Sequence, residues 1–189
     1  LRYFSAHGSH TSAQGSEAAA RLRRVVSSDS VLRAHRAKIK LVDCANGIFA
    51  ARGSGRPHIE VAEELVCQLD DDSLRAALHH EIAHLRRRDP WRFLGLTFAQ
   101  VLNPFSRWLR QYASAWRFAR EVSCDRAATD QGAEPLALAE ALVTVAKQAP
   151  SNAACRGTSG EQFAHLCGDD ENRLTVRINL LIERAVESR

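Results

Sequence analysis

At 189 residues, 45% apolar and 25% charged, the chain has the bulk and balance of a soluble globular protein with a real core. Its 26 basic and 22 acidic residues leave a net charge of +4, too mild to point to nucleic acid, and no apolar run reaches the roughly 18 residues of a membrane-spanning helix. The five cysteines (Cys44, Cys67, Cys124, Cys155 and Cys167) are irregularly spaced, without a C-x-x-C pair, and read as reduced thiols; only Cys155–Cys167 stands out as a candidate disulfide.

Residues 1–15 are rich in Ser, Gly and His without periodicity, which predicts a flexible lead-in. His7 and His10 read there as tail residues rather than metal ligands. With no methionine, no secretory signal and Leu1 at its start, the chain is expected to be a fragment or a processed product. Residues 16–189 are expected to form one domain, opened by a helix that Ser16 caps and that runs to about Ser27.

Ile39 to Cys44 reads as a strand, Asn46-Gly47 as a turn, and Ile48 to Ala51 as a returning strand. After the loop Gly53-Ser54-Gly55-Arg56-Pro57, residues 58–62 form a third strand candidate. Proline cannot donate to a ladder, so Pro57 suggests an edge position. His58, Ile59, Glu60 and Val61 would then hold an extended peptide by backbone hydrogen bonds.

Asp70 to Ser73 caps a central helix with the apolar stripe Leu74, Ala77, Leu78, Ile82 and Leu85, ended by Asp89-Pro90. Trp91 to Leu109 is the most apolar stretch. Its flanking arginines and tryptophans suit a membrane-surface segment over 91–110; its composition suits equally a buried helix broken at Asn103-Pro104. Further helices are expected from about Ser114 to Asp130, from Pro135 to Gln148, and from about Glu171 to Val186 with Leu174, Ile178, Leu181 and Ile182 inward. The fold class is α+β, mainly α, with a small sheet over about residues 39–62.

Within the central helix, His80, Glu81 and His84 spell H-E-x-x-H. Residues four apart share a helix face, so the two imidazoles can converge on one ion. Zinc accepts neutral imidazole, and a catalytic zinc keeps an open position for water. Glu81 stands where it can take a proton from that water and act as general base. His79 makes the register ambiguous, but only His80 is followed directly by Glu. A catalytic site needs a third protein ligand, and the candidates are His35, His58, His165 and the carboxylates. Among these, Glu121 and Asp125 share a face of one predicted helix; Glu121 could ligate, and Asp125 could orient a ligand histidine through its free ring N–H.

Together these residues resemble the BlaR/MecR-type membrane metallopeptidases. The run His80 to Asp89 matches that family's HExxHxxRRD, and Glu121-Val122-Ser123-Cys124-Asp125 matches its ExxCD. Asn103-Pro104 sits where the family has an NP, and Gly55-Arg56-Pro57-His58-Ile59, followed by Leu65 and Leu74, looks like its G-x-x-x-P-x-I strand region. The resemblance implies a zincin-like fold of the gluzincin type, with one zinc per chain held by His80, His84 and Glu121. Glu81 would serve as base and acid, Asp125 as the residue behind a ligand, and Asp89 as a structural cap after the helix. HtpX-like and CAAX-protease relatives place an arginine before an isoleucine near their C-terminal end. Arg177-Ile178 is similar, making Arg177 a candidate oxyanion stabiliser, although a plain surface-helix arginine is the favoured reading.

Family members are usually membrane-anchored, with the protease domain on the cytoplasmic face, and cleave a repressor or themselves in signalling. This chain departs from them in lacking clear spanning helices and a penicillin-binding sensor domain, so control by a β-lactam does not carry over. The expected activity is zinc-dependent hydrolysis of peptide bonds in a protein or peptide substrate. The competing expectation is a non-catalytic zinc-stabilised module that binds a partner or acidic lipid, against which the intact Glu81 argues. Nucleic-acid binding through Arg86–Arg92 is the weakest reading.

Overall fold

The structure, a computed structural model, describes residues 13–43, 49–53, 56–87, 89–102, 106–148 and 171–187. Helix α1 runs over Ala13–Ser28, so Ser16 lies inside it and is not its cap; Ala13 and Gln14 favour helix enough to extend it backwards. A short unforeseen helix follows, α2 (Ser30–His35), capped by Asp29, whose Oδ1 accepts from the N–H groups of Val31 at 2.7 Å and Leu32 at 3.0 Å. Then come strands β1 (Ile39–Val42), β2 (Phe49–Arg52) and β3 (His58–Ala62).

The sheet order is β1-β3-β2. Strand β3 pairs with β1 in parallel, Ile59 opposite Ile39, and with β2 antiparallel, Ile59 opposite Ala51. The expected substrate edge is therefore overturned: His58, Ile59, Glu60 and Val61 lie in the middle strand, bonded on both sides. Pro57 stops one residue short of that strand, where its missing N–H takes nothing from the ladder. No β1–β2 hairpin forms either, because β3 lies between the two; Asn46-Gly47 is outside the described residues. At Gly53 the backbone leaves β2 with φ 84°, and a Cβ there would meet the Arg56 carbonyl oxygen at 2.8 Å, so the turn requires glycine.

Helix α3 (Glu63–Gln68) leads to Asp70, whose carboxylate accepts from the Ser73 N–H at 2.6 Å and caps α4 (Asp71–Arg86). From Ser73 to Leu85 every residue except Arg75 is buried. Leu74, Ala77, Leu78, Ile82 and Leu85 join a core shared with α1, α2, α3 and the sheet. On the other side Ala76 meets Ala128, Ala137, Leu138 and Leu181 in a second core. Because α4 is the common wall of two cores, its polar residues are held away from water.

Helices α5 (Asp89–Leu102) and α6 (Ser106–Asp130) come next, with Asn103-Pro104 in the undescribed gap between them. Trp91, Leu94, Phe98 and Leu102 are each more than half exposed, which overturns the buried-helix reading of this stretch. Helix α6 ends where Gly132 takes φ 97° and Ala133 donates back to the Ala128 carbonyl at 3.1 Å. Helix α7 spans Pro135–Gln148 and helix α8 spans Glu171–Glu187. On α8, Arg177, Leu181 and Ala185 are buried, whereas Ile182, expected inward, is 44% exposed. The architecture is α+β and mainly α. His7, His10, His165, Cys155 and Cys167 lie outside the described residues.

Candidate metal centre

Helix α4 supplies His80 and His84 from one face, one turn apart, with ring centroids 4.8 Å apart and the rings nearly perpendicular. Their Nε2 atoms are 3.0 Å apart. Glu121 on α6 brings its Oε2 to 3.4 Å from His80 Nε2 and 3.5 Å from His84 Nε2. This buried oxygen has no hydrogen-bond donor among the described residues, whereas Oε1 of the same carboxylate accepts from Arg120 at 2.9 Å. Arg177 Nη1 at 3.6 Å offsets part of that oxygen's lost hydration, and its side towards the two imidazole nitrogens could take a bound cation. Zinc bonds to N and O ligands of about 2.0–2.2 Å in tetrahedral array set neighbouring ligand atoms roughly 3.3–3.6 Å apart. The three atoms nearly fulfil that spacing, so the residues present fit a divalent metal.

A side chain of α6 stands behind each imidazole, although His80 Nδ1 makes no hydrogen bond of good geometry. Asp125 Oδ1 stands 2.8 Å from His80 Nδ1, and the Cys124 sulfur stands 3.5 Å from His84 Nδ1. Each Nε2 is thereby turned towards Glu121. The E-x-x-C-D spacing thus places three functions on one turn of α6: Glu121 faces the Nε2 pair, Cys124 backs His84 and Asp125 backs His80. Cys124 had no assigned place in the sequence reading, although its position in that motif was the available signal.

Arg177 is not a surface arginine. It is 4% exposed and forks onto Asp125, Nε donating to Oδ2 at 2.6 Å and Nη2 to Oδ1 at 2.8 Å, while Nη1 lies 3.6 Å from Glu121 Oε2. Nε and Nη2 thus grip Asp125 behind His80, while Nη1 places positive charge beside the Glu121 oxygen that faces the imidazoles. Asp89 is the first residue of α5 rather than part of a loop after α4; its side chain is outside the described residues.

Charges follow from these contacts. Burial alone would lower the His80 pKa, but the Asp125 and Glu121 carboxylates close to its ring outweigh that and raise it to about 9 in the metal-free protein. Burial would raise Glu121, yet the His84 and His80 imidazoles and Arg177 hold it well below the ordinary carboxylate range. Asp125 is likewise held down, against burial, by Arg177 and His80. Glu81 moves the other way: burial dominates and pushes its carboxyl up, the nearby imidazoles offsetting only part.

Glu81 lies with His80 and His84 in a cluster whose potential ligand atoms are within 4.8 Å of one another. Its Oε2 is already engaged, accepting from the Ala51 N–H at 2.7 Å. That N–H points off the free edge of β2, so Glu81 stands between the edge strand and the imidazole pair. Of the two carboxylates near the histidines, Glu121 presents the unbonded oxygen and Glu81 the anchored one.

The other sequence candidates are used elsewhere. His79 faces away and bonds Asp29 Oδ2 through Nε2 at 3.0 Å, which settles the register of the motif. His35 bonds the Val31 carbonyl, and His58 lies between Arg56 O and Glu60. Arg87 ties the end of α4 to Ser123 of α6, and Arg86 donates to Gln131 in the turn just after that helix. Among the described residues no helix is long and apolar enough to cross a membrane.

The sequence profile of the BlaR1 peptidase M56 family matches residues 12–164. A protease HtpX homolog from Methanopyrus kandleri is 29% identical over 149 residues, covering 62% of this chain and 46% of its own length, so the chain spans about half of that relative. No solved structure is a significant match. With the profile covering most of the sequence and the motif residues gathered at one buried centre, the chain belongs to the BlaR1 peptidase M56 family, a family of metallopeptidases.

Proposed function

We propose that residues 16–189 form one zincin-like peptidase domain that hydrolyses internal peptide bonds with a single zinc. The observation that carries this is the unbonded Glu121 Oε2 facing two imidazole nitrogens at 3.4 and 3.5 Å, with a second, anchored carboxylate beside them. His80, His84 and Glu121 would hold the ion. When bound, zinc supplies Lewis acidity, lowering the pKa of a water towards about 7 and drawing charge from a scissile carbonyl. Glu81 takes the proton of the attacking water and returns it to the leaving amine. Ala51 fixes one oxygen of Glu81 and leaves the other for the proton. The outer edge of β2, which pairs with no other strand among the described residues, rather than β3, is where an extended substrate would lie near Glu81; the Ala51 N–H on that edge is itself taken by Glu81. Arg177 acts through Asp125 as a positioning residue rather than on the oxyanion.

The exposed apolar side of α5, with Arg92 beside it, supports attachment to a membrane surface, and the family supports a membrane-anchored parent with this domain on the cytoplasmic side. Regulatory cleavage of a repressor or of the protein itself is the role proposed for it. The test is Glu81→Gln. The variant is expected to keep one zinc per chain and lose peptide cleavage by about 10²–10⁴-fold or more. Full cleavage by a preparation free of other proteases would sink the assignment.

A further inference from the structure

In the run from Glu121 to Asp125 the first and last residues have places in the proposed chemistry, whereas Cys124 has none. Its side chain is fully buried, and its sulfur stands 3.5 Å from His84 Nδ1. Helix α6 sets that position. Cys124 follows Glu121 by three residues, close to one turn, so one face of the helix puts a carboxylate before the imidazole pair and a sulfur behind His84. A histidine that gives Nε2 to a metal carries its remaining proton on Nδ1. On His84 that proton points at the sulfur, and in a buried site it needs an acceptor.

We infer that Cys124 is a positioning residue of the metal centre: its sulfur accepts the Nδ1 proton of His84 and fixes that ring with Nε2 towards the ion. The inference rests on the metal reading above. It makes the two imidazoles unequal. His80 has a carboxylate behind it and His84 a thiol, the weaker acceptor, so His80 is the more basic ligand and His84 the more easily released. The use of sulfur follows from charge. Glu81, Glu121 and Asp125 already set three carboxylates around the pair. A fourth behind His84 would be a further buried anion to compensate. A thiol accepts the bond without adding charge.

Two replacements separate positioning from packing, with zinc binding as the readout. Cys124→Ser keeps an acceptor; Cys124→Val keeps the apolar bulk and loses it. Zinc affinity in competition with a chelator is expected to fall roughly 10-fold in Cys124→Val, and to fall less in Cys124→Ser. A packing role alone predicts the reverse order, since valine suits a buried site and a hydroxyl does not. In the zinc-loaded wild-type protein, heteronuclear NMR of the histidine rings is expected to show the His84 proton on Nδ1. That proton is expected to move upfield in Cys124→Val, where it has lost the sulfur. The wild-type spectrum is decisive even where a variant fails to fold. Unchanged zinc affinity in Cys124→Val, a larger loss in Cys124→Ser than in Cys124→Val, or a His84 ring with its proton on Nε2 overturns the inference. If zinc binds in the expected order but no peptide is cleaved, the peptidase reading fails and the role of Cys124 stands. A wild-type protein that takes up no zinc overturns both.

Discussion

On the proposed function, His80 and His84 depend on what stands behind them. The Asp125 carboxylate at 2.8 Å from His80 Nδ1 is itself gripped by both arms of Arg177, so an orientation set on α8 reaches a nitrogen on α4 through two contacts. Arg177→Lys keeps the charge and loses the fork. It is expected to weaken zinc binding by roughly 10–100-fold in competition with a chelator. A variant with lower stability but unchanged zinc affinity would show Arg177 to be structural alone. Much of this was legible in the sequence. The glutamate after His80 fixed which histidines pair, and the four-residue spacing of Glu121 and Asp125 fixed their common face. The roles of His79, Cys124 and Arg177 were not legible, because their partners are 50, 40 and 52 residues away. Helical spacing reports which side chains share a face, not which face of another element they meet.

Among the elements, long helices with clear caps were read well: α7 begins and ends as expected, and α4 begins at its Asp70 cap. Helices α2 and α3 are six residues each, too short for a hydrophobic period to show, and they escaped. The sheet order escaped for a different reason: Pro57 lacks a donor at its own position only, and the ladder starts after it. The cap of α4 gives a test at this scale. Asp70 has its pKa lowered from 3.8, chiefly by the Ser73 backbone N–H it accepts from. A carboxyl held below its unfolded value adds stability above that value and loses it as pH falls through the folded one. Asp70→Ala is expected to cost about 0.5–2 kcal/mol near neutrality, with the gap to wild type closing below pH 3.8 as both are acidified. Chemical denaturation at several pH values measures it; a gap that widens in acid would refute the capping account.

For the molecule as a whole, the centre is a cross-link. It joins α4, whose stripe belongs to the sheet-side core, to α6, which packs into the second core with α7 and α8. A metal that binds only the folded state stabilises by mass action, about 4 kcal/mol at a thousand times its dissociation constant. Chelation is therefore expected to lower the melting temperature by on the order of 10 °C in a chain of this size, and added zinc to restore it. An unmoved melting temperature would mean that no metal ties the two cores together. The two-armed grip of Arg177 on Asp125 has a consequence in time as well as space. A growing polypeptide leaves the ribosome with both imidazoles, Glu121 and Asp125 already made, and the guanidinium that steadies them follows 52 residues later. On the proposed function, a copy translated only as far as Asp125 holds the cutting tools without the clamp, and hydrolytic competence waits for the 52 residues that follow.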